Sequence, residues 1–401
     1  MDLHRKQRRT IRSECLLTLL LLCWFLPEKA VSARRHLVCM YRSYTATPSK
    51  AYQIEDIPMD LCTHILYYGS KIDPTDNELE PWDGRHDILE RGYQKFADIK
   101  NRQPDVKLLM SVLCTIPSCG RVAASSDTRK ALIESAIRLL RRYNLDGLSY
   151  EWRYPPQEAK QDYATLIEET KQAFKNAGHD TWTVSVDVPG REDSIAKAFD
   201  QQRICCAADF VILWVDRRFS SRKNTDIPSP LYRRRFETGV LQRYNIMDGT
   251  QHWINSGCPR DKILLKVAAS GMKFALDDAS DHSVNATRDL GQFPEHIEYN
   301  QICSRLRDAG WTVDWDERSK APFAYRGKEC IGYENEVSLE DKAYFVDGEG
   351  LGGLVVESID QDDYKGVCGK KYPLLTALWK AYRPTWSTDD DPFDFAIHRS
   401  T

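Results

Sequence analysis

Residues 145–155 have the sequence LDGLSYEWRYP, which begins as an apolar, strand-like segment and ends in charged side chains. Successive side chains of an extended strand alternate between its two faces, so Ser149, Glu151 and Arg153 share one face. Charged groups on a covered face must pair with opposite charges or shift their pKa values. We therefore predict that Arg153 forms an ion pair.

Seven further segments share this apolar, strand-like character, and longer amphipathic segments separate them. One of these is a predicted crossover helix that begins at Ser126-Asp127, after which apolar residues recur at helical spacing. Eight such β/α units with covered strands indicate an α/β fold, the TIM (β/α)8 barrel. The predicted strands are Leu37–Tyr41, His64–Tyr68, Val106–Leu113, Gly147–Glu151, Thr183–Val186, Phe210–Val215, Ile263–Val267 and Leu354–Glu357.

The rhythm of the units changes between the seventh and the eighth strand, where aromatic and turn residues replace a single helix. We predict a small inserted α+β subdomain at residues 274–330, within a barrel formed by residues 36–273 and 331–383. Residues 384–401 are polar and acidic, with too few apolar side chains to pack. This segment is predicted to be a disordered tail.

The N-terminus has the order of a secretory signal peptide, which we predict for residues 1–32. Basic residues precede an apolar run from Cys15 to Leu26, and small residues follow it. The apolar run is too short to cross a bilayer, which requires about 20 residues. We predict cleavage near Ser32 and a secreted, extracellular protein without a membrane segment.

Net charge and cysteine content limit the classes of protein to which the chain can belong. A net charge of -3 without a clustered basic face excludes the usual nucleic-acid-binding protein. The predicted cleavage removes Cys15 and Cys23 from the 12 cysteines and leaves ten, an even number that favours disulfides. No cysteine or histidine spacing indicates a metal site, and we expect no cofactor. Asn285-Ala286-Thr287 is a predicted glycosylation site.

Several spaced motifs resemble those of family 18 glycoside hydrolases, the chitinases, over almost the whole predicted mature chain. Residues 145–155 resemble the pattern D-G-x-D-x-D-x-E-Y-P. The resemblance implies the same barrel and inserted subdomain, with disulfides Cys39–Cys62 and Cys303–Cys368. The other matching motifs are Val38–Tyr41, Asp60–His64, Gly271–Phe274, Pro322–Tyr325 with Gly332-Tyr333, and Gly352–Val356 with Asp360–Asp363. The pairing of the remaining cysteines stays open: Cys114, Cys119, Cys205, Cys206, Cys258 and Cys330.

The resemblance also implies that the catalytic residues have been lost. In family 18 the last glutamate of the pattern protonates the glycosidic oxygen, and Arg153 occupies that position here. A guanidinium group keeps its proton and cannot act as this acid. Ser149 and Glu151 replace the two inner aspartates, so that only Asp146 is retained. We therefore predict a pseudo-enzyme without a catalytic residue.

Sugar-binding positions are altered as well. The family motif M-x-Y-D reads Trp214-Val215-Asp216-Arg217, and Glu357 replaces the tryptophan at the end of the last strand. The remaining carbohydrate-binding candidates are Tyr41, Tyr44, Trp214, Asp216 and Glu357. Glu357 is the first predicted partner of Arg153, and Asp216 is the second.

Three interpretations of this charged cluster follow. It is an ion-pair plug in a retired pocket, a remodelled site for a glycan or small ligand, or a new carboxylate hydrolase or cation site. Two other features have simpler explanations. Arg217-Arg218 and Arg233–Arg235 are interpreted as solvated faces, and His64 as a core histidine.

The sequence thus predicts a secreted, catalytically inactive chitinase-like protein. It acts by binding chito-oligosaccharide or another glycan, or as a signalling or defence factor. One alternative is a growth-factor-like scaffold that binds a protein partner and keeps only a relic of the pocket. A residual or remodelled hydrolase is the third possibility, and it requires an acid that the motif lacks.

Overall fold

A computed structural model describes residues 35–43, 52–190, 195, 197–215, 217 and 223–382. The predicted signal peptide and the predicted tail at residues 384–401 lie outside these residues. The strands are β1 His36–Arg42, β2 His64–Ile72, β3 Leu79–Pro81, β4 Lys107–Leu113, β5 Gly147–Glu151, β6 Thr183–Pro189, β7 Phe210–Trp214, β8 Ile263–Ala268, β9 Ser270–Ala275, β10 Glu295–Glu298, β11 Thr312–Asp316, β12 Ala321–Arg326, β13 Glu329–Tyr333 and β14 Gly353–Glu357.

Eight parallel strands close into a barrel, which confirms the predicted TIM fold. Their order is β1-β14-β8-β7-β6-β5-β4-β2, and β1 pairs with β2 to close the ring. Strand β3 adds antiparallel to the end of β2. The carboxyl ends of parallel strands meet at one mouth of such a barrel, where charged side chains from distant segments come together.

The α-helices surround the barrel, and the predicted crossover helix is among them. It spans Ser126–Arg142 and buries Leu132, Ile133, Ala136 and Leu140 on one face. Burying a leucine or isoleucine side chain contributes about 1.5–3 kcal/mol, so this stripe fixes the helix against the barrel. The α-helices are α1 Gly92–Ala97, α2 Ile116–Ala124, α3 Ser126–Arg142, α4 Lys160–Asn176, α5 Gln201–Ala207, α6 Ile246–Asn255, α7 Tyr299–Arg305, α8 Glu336–Gly348 and α9 Pro373–Tyr382.

Side chains on the barrel strands alternate between an inner and an outer core. In β1, Val38 and Met40 belong to the inner cluster, whereas Leu37, Cys39 and Tyr41 belong to the outer one. This alternation follows from the period of two along a strand. It decides which residues can reach a ligand at the mouth.

The opposite end of the barrel is closed by aromatic rings. His64 packs edge to face against His36, with centroids 5.0 Å apart, and against Phe210 at 5.6 Å. Burial, with a smaller contribution from the neighbouring His36 and Lys107, lowers the pKa of His64 to about 3. His64 is therefore a neutral core residue, as predicted.

A separate five-stranded antiparallel sheet overlaps the interval that the sequence assigned to an insert and extends beyond it at both ends. Its order is β10-β9-β13-β12-β11, and it extends from Ser270 to Tyr333 together with helix α7. Strand β9 begins two residues after β8 ends. The predicted limits of the subdomain, residues 274–330, remain a prediction.

Four disulfides link the described residues. Cys39–Cys62 and Cys303–Cys368 are the pairs that the family resemblance implied. The other two are Cys114–Cys119 and Cys205–Cys258. Cys206 is exposed and unpaired, and Cys330 is buried and unpaired. Among the described residues, no helix is long and apolar enough to cross a membrane.

Candidate functional site

Five charged side chains converge at the mouth of the barrel. Glu151 and Glu357 are the last residues of β5 and β14, and Arg153 follows β5 by two positions. Asp187 on β6 and Lys266 on β8 complete the cluster. Glu151 and Asp187 are direct neighbours in the β5–β6 register. Parallel pairing therefore places carboxylates from separate segments side by side.

Arg153 is held between two carboxylates. Its Nε lies 2.7 Å from Oε1 of Glu151, and its Nη2 lies 3.1 Å from Oε1 of Glu357. The predicted pairing with Glu357 is thus confirmed, whereas the second predicted partner, Asp216, lies outside the described residues. Burial alone would lower the pKa of Arg153, but Glu151 and Glu357 outweigh this effect and raise it.

Lys266 forms the second half of the cluster. Its Nζ donates to Oδ2 of Asp187 and lies 3.7 Å from Oε2 of Glu357. The Lys266 side chain is only 3% exposed. Burial opposes the charge on Lys266, yet the surrounding carboxylates raise its pKa. Glu357 therefore bridges the two cations of the cluster.

Among the five side chains of the cluster, the carboxylate of Asp187 takes up a proton most readily. Burial, together with the neighbouring Glu151 and Glu357, raises its pKa to about 7 against the lowering effect of Lys266. With all five groups ionised, three carboxylates face two cations, and one proton would balance the charge. The Asp187 side chain is 4% exposed, and its Oδ2 accepts from Lys266.

The cavity that the described residues form beside the cluster is small. A cavity of about 30 Å³ is lined by residues that include Arg153, Trp214, Lys266 and Glu357. Such a volume holds a water molecule, whereas sites for small ligands usually offer about 300–1,000 Å³. The cluster thus occupies the position at which TIM barrels normally bind their substrates.

Comparison with known proteins identifies the family. The sequence profile described as "Glycosyl hydrolases family 18" matches residues 36–362. The chain belongs to this family. The matched region contains the whole barrel and the second sheet.

Similar proteins include an endochitinase and a chitinase-like protein. The chain is 28% identical to "Endochitinase" of Manduca sexta over 374 residues, covering 87% of this chain and 67% of that protein. It is 27% identical to "Chitinase-3-like protein 2" of Homo sapiens over 363 residues, covering 85% and 91% of the two chains.

Solved structures agree with this assignment. The Group IV chitinase of Ostrinia furnacalis superimposes with a TM-score of 0.81 at 24% identity, over 87% of this chain and 99% of that one. Human YKL-39, described as a pseudo-chitinase with retained chitooligosaccharide binding properties, gives 0.79 at 26% identity, over 86% and 99%.

Placed on the family 18 motif, the predicted residues divide between two ends of the barrel. Ser149 and Glu151 are buried in the wall near the mouth. Asp146 precedes β5 and lies at the opposite end, where its carboxylate accepts from the Leu108 amide at 2.8 Å. Lys100 is also 2.8 Å from this carboxylate. Asp146 therefore joins strands and stands apart from the charged cluster.

The aromatic residues predicted to contact a glycan differ in burial and location within this family 18 barrel. Tyr41 is fully buried in the outer core, and its hydroxyl lies 3.2 Å from Nε2 of His86. This orientation corrects the expectation that Tyr41 contacts a glycan, because its ring faces away from the mouth. Trp214 is 7% exposed and lines the small cavity. Tyr44 lies outside the described residues.

Sequence reasoning missed Lys266, Asp187 and Tyr154. Lys266 and Asp187 are single charges within the apolar segments ILLKVA and TVSVDVP, and a lone charge in a covered strand is a usable signal. Tyr154 is 52% exposed and packs edge to face on Trp214, with centroids 5.9 Å apart. It is an aromatic ring at the rim that a sugar can contact.

Proposed function

We propose that this chain is a catalytically inactive family 18 protein that acts by binding. The observation that carries the proposal is the guanidinium of Arg153 at the acid position, fixed by Glu151 at 2.7 Å and Glu357 at 3.1 Å. Family 18 hydrolysis relies on the substrate acetamide as nucleophile and needs a carboxylic acid to protonate the leaving oxygen. Asp187, the buried carboxyl with a raised pKa, is bonded to Lys266 instead.

The first ligand to consider is a chito-oligosaccharide. Human YKL-39 is described as a pseudo-chitinase that retains binding of these sugars, and it matches this chain at 26% identity. Tyr154 and Trp214 would provide the aromatic contact. Because the cavity inside the mouth measures only about 30 Å³, the sugar would lie across the rim rather than within the barrel.

A protein partner is the second candidate, and the small cavity favours it. A mouth filled by two ion pairs leaves the outer surface as the part of the molecule free to bind. In either case we propose a secreted protein, which the four disulfides support because such bonds persist in oxidising compartments.

Two assays test the proposal on the secreted protein. Chitohexaose is incubated with it, and products are followed by mass spectrometry beside an active chitinase. We expect no cleavage, and none after Arg153→Glu, because Ser149 and Glu151 also depart from the motif. Turnover by the unaltered protein would contradict inactivity.

Calorimetric titration with chitohexaose then tests glycan binding. A dissociation constant below about 1 mM would support the rim site. Tyr154→Ala should weaken it about fivefold, the equivalent of about 1 kcal/mol for an aromatic contact. The matched control is Tyr344→Ala, which removes a 59% exposed tyrosine from helix α8. Absence of heat would select the protein-partner candidate.

A further inference from the structure

A second cavity, of about 600 Å³, lies outside the barrel mouth. It shares no lining residue with the cavity beside Arg153. Its wall combines the segment that precedes helix α6 with the turn between β11 and β12. Five arginines line it: Arg233, Arg234, Arg235, Arg243 and Arg318. Several guanidinium groups around one concave space favour the binding of an anion.

The floor of this arginine cavity is a buried ion-pair network. Arg234 pairs with Glu237, with Nη2 and Oε1 2.9 Å apart, and also contacts Asp226. Arg217 pairs with the same Glu237 and has a side chain without exposed surface. These contacts correct the expectation that Arg217 and Arg234 belong to solvated faces. Pairing with these carboxylates accounts for the burial of both guanidinium groups.

Backbone hydrogen bonds join the two segments that carry the arginines of the cavity. The Tyr232 amide donates to the Arg318 carbonyl at 3.0 Å, and the Leu231 amide donates to the Ser319 carbonyl at 2.9 Å. Two chain segments distant in sequence are thereby held together. Arg234 lines the cavity, and its Nη1 is buried without a hydrogen-bond partner in the described part of the chain. The buried network therefore leaves one of its guanidinium donors unused.

The rim of the arginine cavity is positively charged. Arg233, Arg235 and Arg318 are exposed and form no ion pair with any described residue. Asp248 is the carboxylate in the lining, and its Oδ2 accepts from Asn245 at 2.7 Å. The amide of Met247 in the first turn of α6 already donates to the Leu231 carbonyl at 3.0 Å. Attraction for an anion thus comes from the guanidinium groups and not from free amides of the helix.

We propose that the arginine cavity binds a ligand that carries several sulfate or phosphate ester groups. Guanidinium groups form paired, charge-assisted hydrogen bonds with such tetrahedral oxyanions. A volume of about 600 Å³ falls in the range of about 300–1,000 Å³ that ligand sites usually occupy. The site is independent of the barrel mouth and of chito-oligosaccharide binding.

The test uses two polyanions and their neutral counterparts. Sucrose octasulfate is compared with sucrose, and inositol hexakisphosphate with myo-inositol, by calorimetric titration of the secreted protein. We expect at least one ester to bind with a dissociation constant below about 100 μM, and neither neutral compound to bind. The tighter of the two esters identifies sulfate or phosphate as the natural group. Binding of neither ester would overturn the proposal.

Variants locate the binding. The triple variant Arg233→Gln, Arg235→Gln, Arg318→Gln removes exposed side chains only, so the buried Arg234 network stays intact. It should weaken binding at least about tenfold, and raising NaCl from about 50 to about 300 mM should weaken binding to the unaltered protein. The control Arg85→Gln, Arg102→Gln, Arg138→Gln removes three exposed arginines that do not line the cavity. Equal losses in both triple variants would show non-specific attraction and overturn the site.

Discussion

Arg153 is a cation at the position that the family 18 motif gives to an acid, and two carboxylates hold its guanidinium group. Glu151 has a side chain that is 4% exposed, and Arg153 is 40% exposed. Arg153→Met should therefore destabilise the fold by about 1–2 kcal/mol, less than removal of a fully buried partner costs. Urea unfolding measures this loss.

A double-mutant cycle with Glu357→Gln isolates the Arg153 contact. Because Arg153 and Glu357 contact each other at 3.1 Å, the two single losses should not add, and their coupling should be about 0.5 kcal/mol or more. Strictly additive losses would mean that the 3.1 Å contact contributes no stability.

Asp187 gives the cluster a pH dependence of defined sign. Its pKa rises from the ordinary 3.8 to about 7 through burial, so the folded protein holds a proton that the unfolded chain has lost between these values. The contribution of Asp187 to the free energy of unfolding therefore falls as pH rises through this window. Unfolding at about pH 5 and about pH 8 should show unaltered protein gaining more stability at the lower pH than Asp187→Asn does.

Comparing the unaltered protein with Asp187→Asn cancels the contributions of other titrating groups to the pH dependence of stability. His64 acts in the opposite direction, because its lowered pKa withdraws stability as pH falls below the ordinary 6.5. His64 is present in both proteins, so its contribution cancels in the difference. Identical pH profiles would show that Asp187 stays ionised beside Lys266.

At this scale, the sequence predicted the contact of Arg153 with Glu357 because both positions follow from strand ends and the period of two. The same period explains the error at Tyr41, which alternates with the inward Met40 and must point outward. Lys266 and Asp187 were missed for another reason. Their pairing depends on the register across the barrel, which no local pattern contains.

The disulfides link different parts of the fold. The number of residues between the paired cysteines predicts that the bonds contribute unequally to stability. Cys303–Cys368 closes a separation of 65 residues and ties helix α7 to the segment after β14, whereas Cys114–Cys119 closes only 5. The chain-entropy relation gives about 4 kcal/mol for the long loop and about 2 kcal/mol for the short one. Paired Cys→Ser substitutions should lower the free energy of unfolding in this order.

The control for the disulfide variants is Cys206→Ser, which removes an exposed, unpaired thiol and should change stability little. A larger loss from the short loop than from the long one would show that native contacts, and not chain entropy, govern these bonds.

Elements were predicted from sequence more readily than their junctions. All eight barrel strands follow from apolar segments that a parallel sheet requires. The start of the second sheet does not, because β8 and β9 are separated by Ala269 alone and no turn residue marks the change. The pairing of Arg217 with Glu237 was equally hidden, because 20 residues separate them, whereas Arg234 and Glu237 are only three positions apart.

At the scale of the whole molecule, the barrel mouth that belongs to the family 18 fold and the larger arginine cavity are separate. Family 18 membership accounts for the barrel, yet a fold does not determine function, which resides in particular sites. The barrel mouth holds two linked ion pairs around a cavity of about 30 Å³, and the arginine cavity offers about 600 Å³. The inherited site and the site with space for a ligand are thus different parts of this protein.

Secretion is the last property that belongs to the whole molecule, and it can be tested together with glycosylation. Asn285 is exposed, and its carbonyl accepts from Asn224 at 2.7 Å, which leaves the side chain free for a glycan. Expressed in animal cells, the chain should accumulate in the medium with an N-terminus near residue 33 and one enzymatically removable N-glycan. Asn285→Gln should lose that mass and still be secreted, because Asn285 is exposed and the substitution removes no buried side chain. Retention inside the cell with an intact N-terminus would contradict the proposed extracellular role, whatever the protein binds.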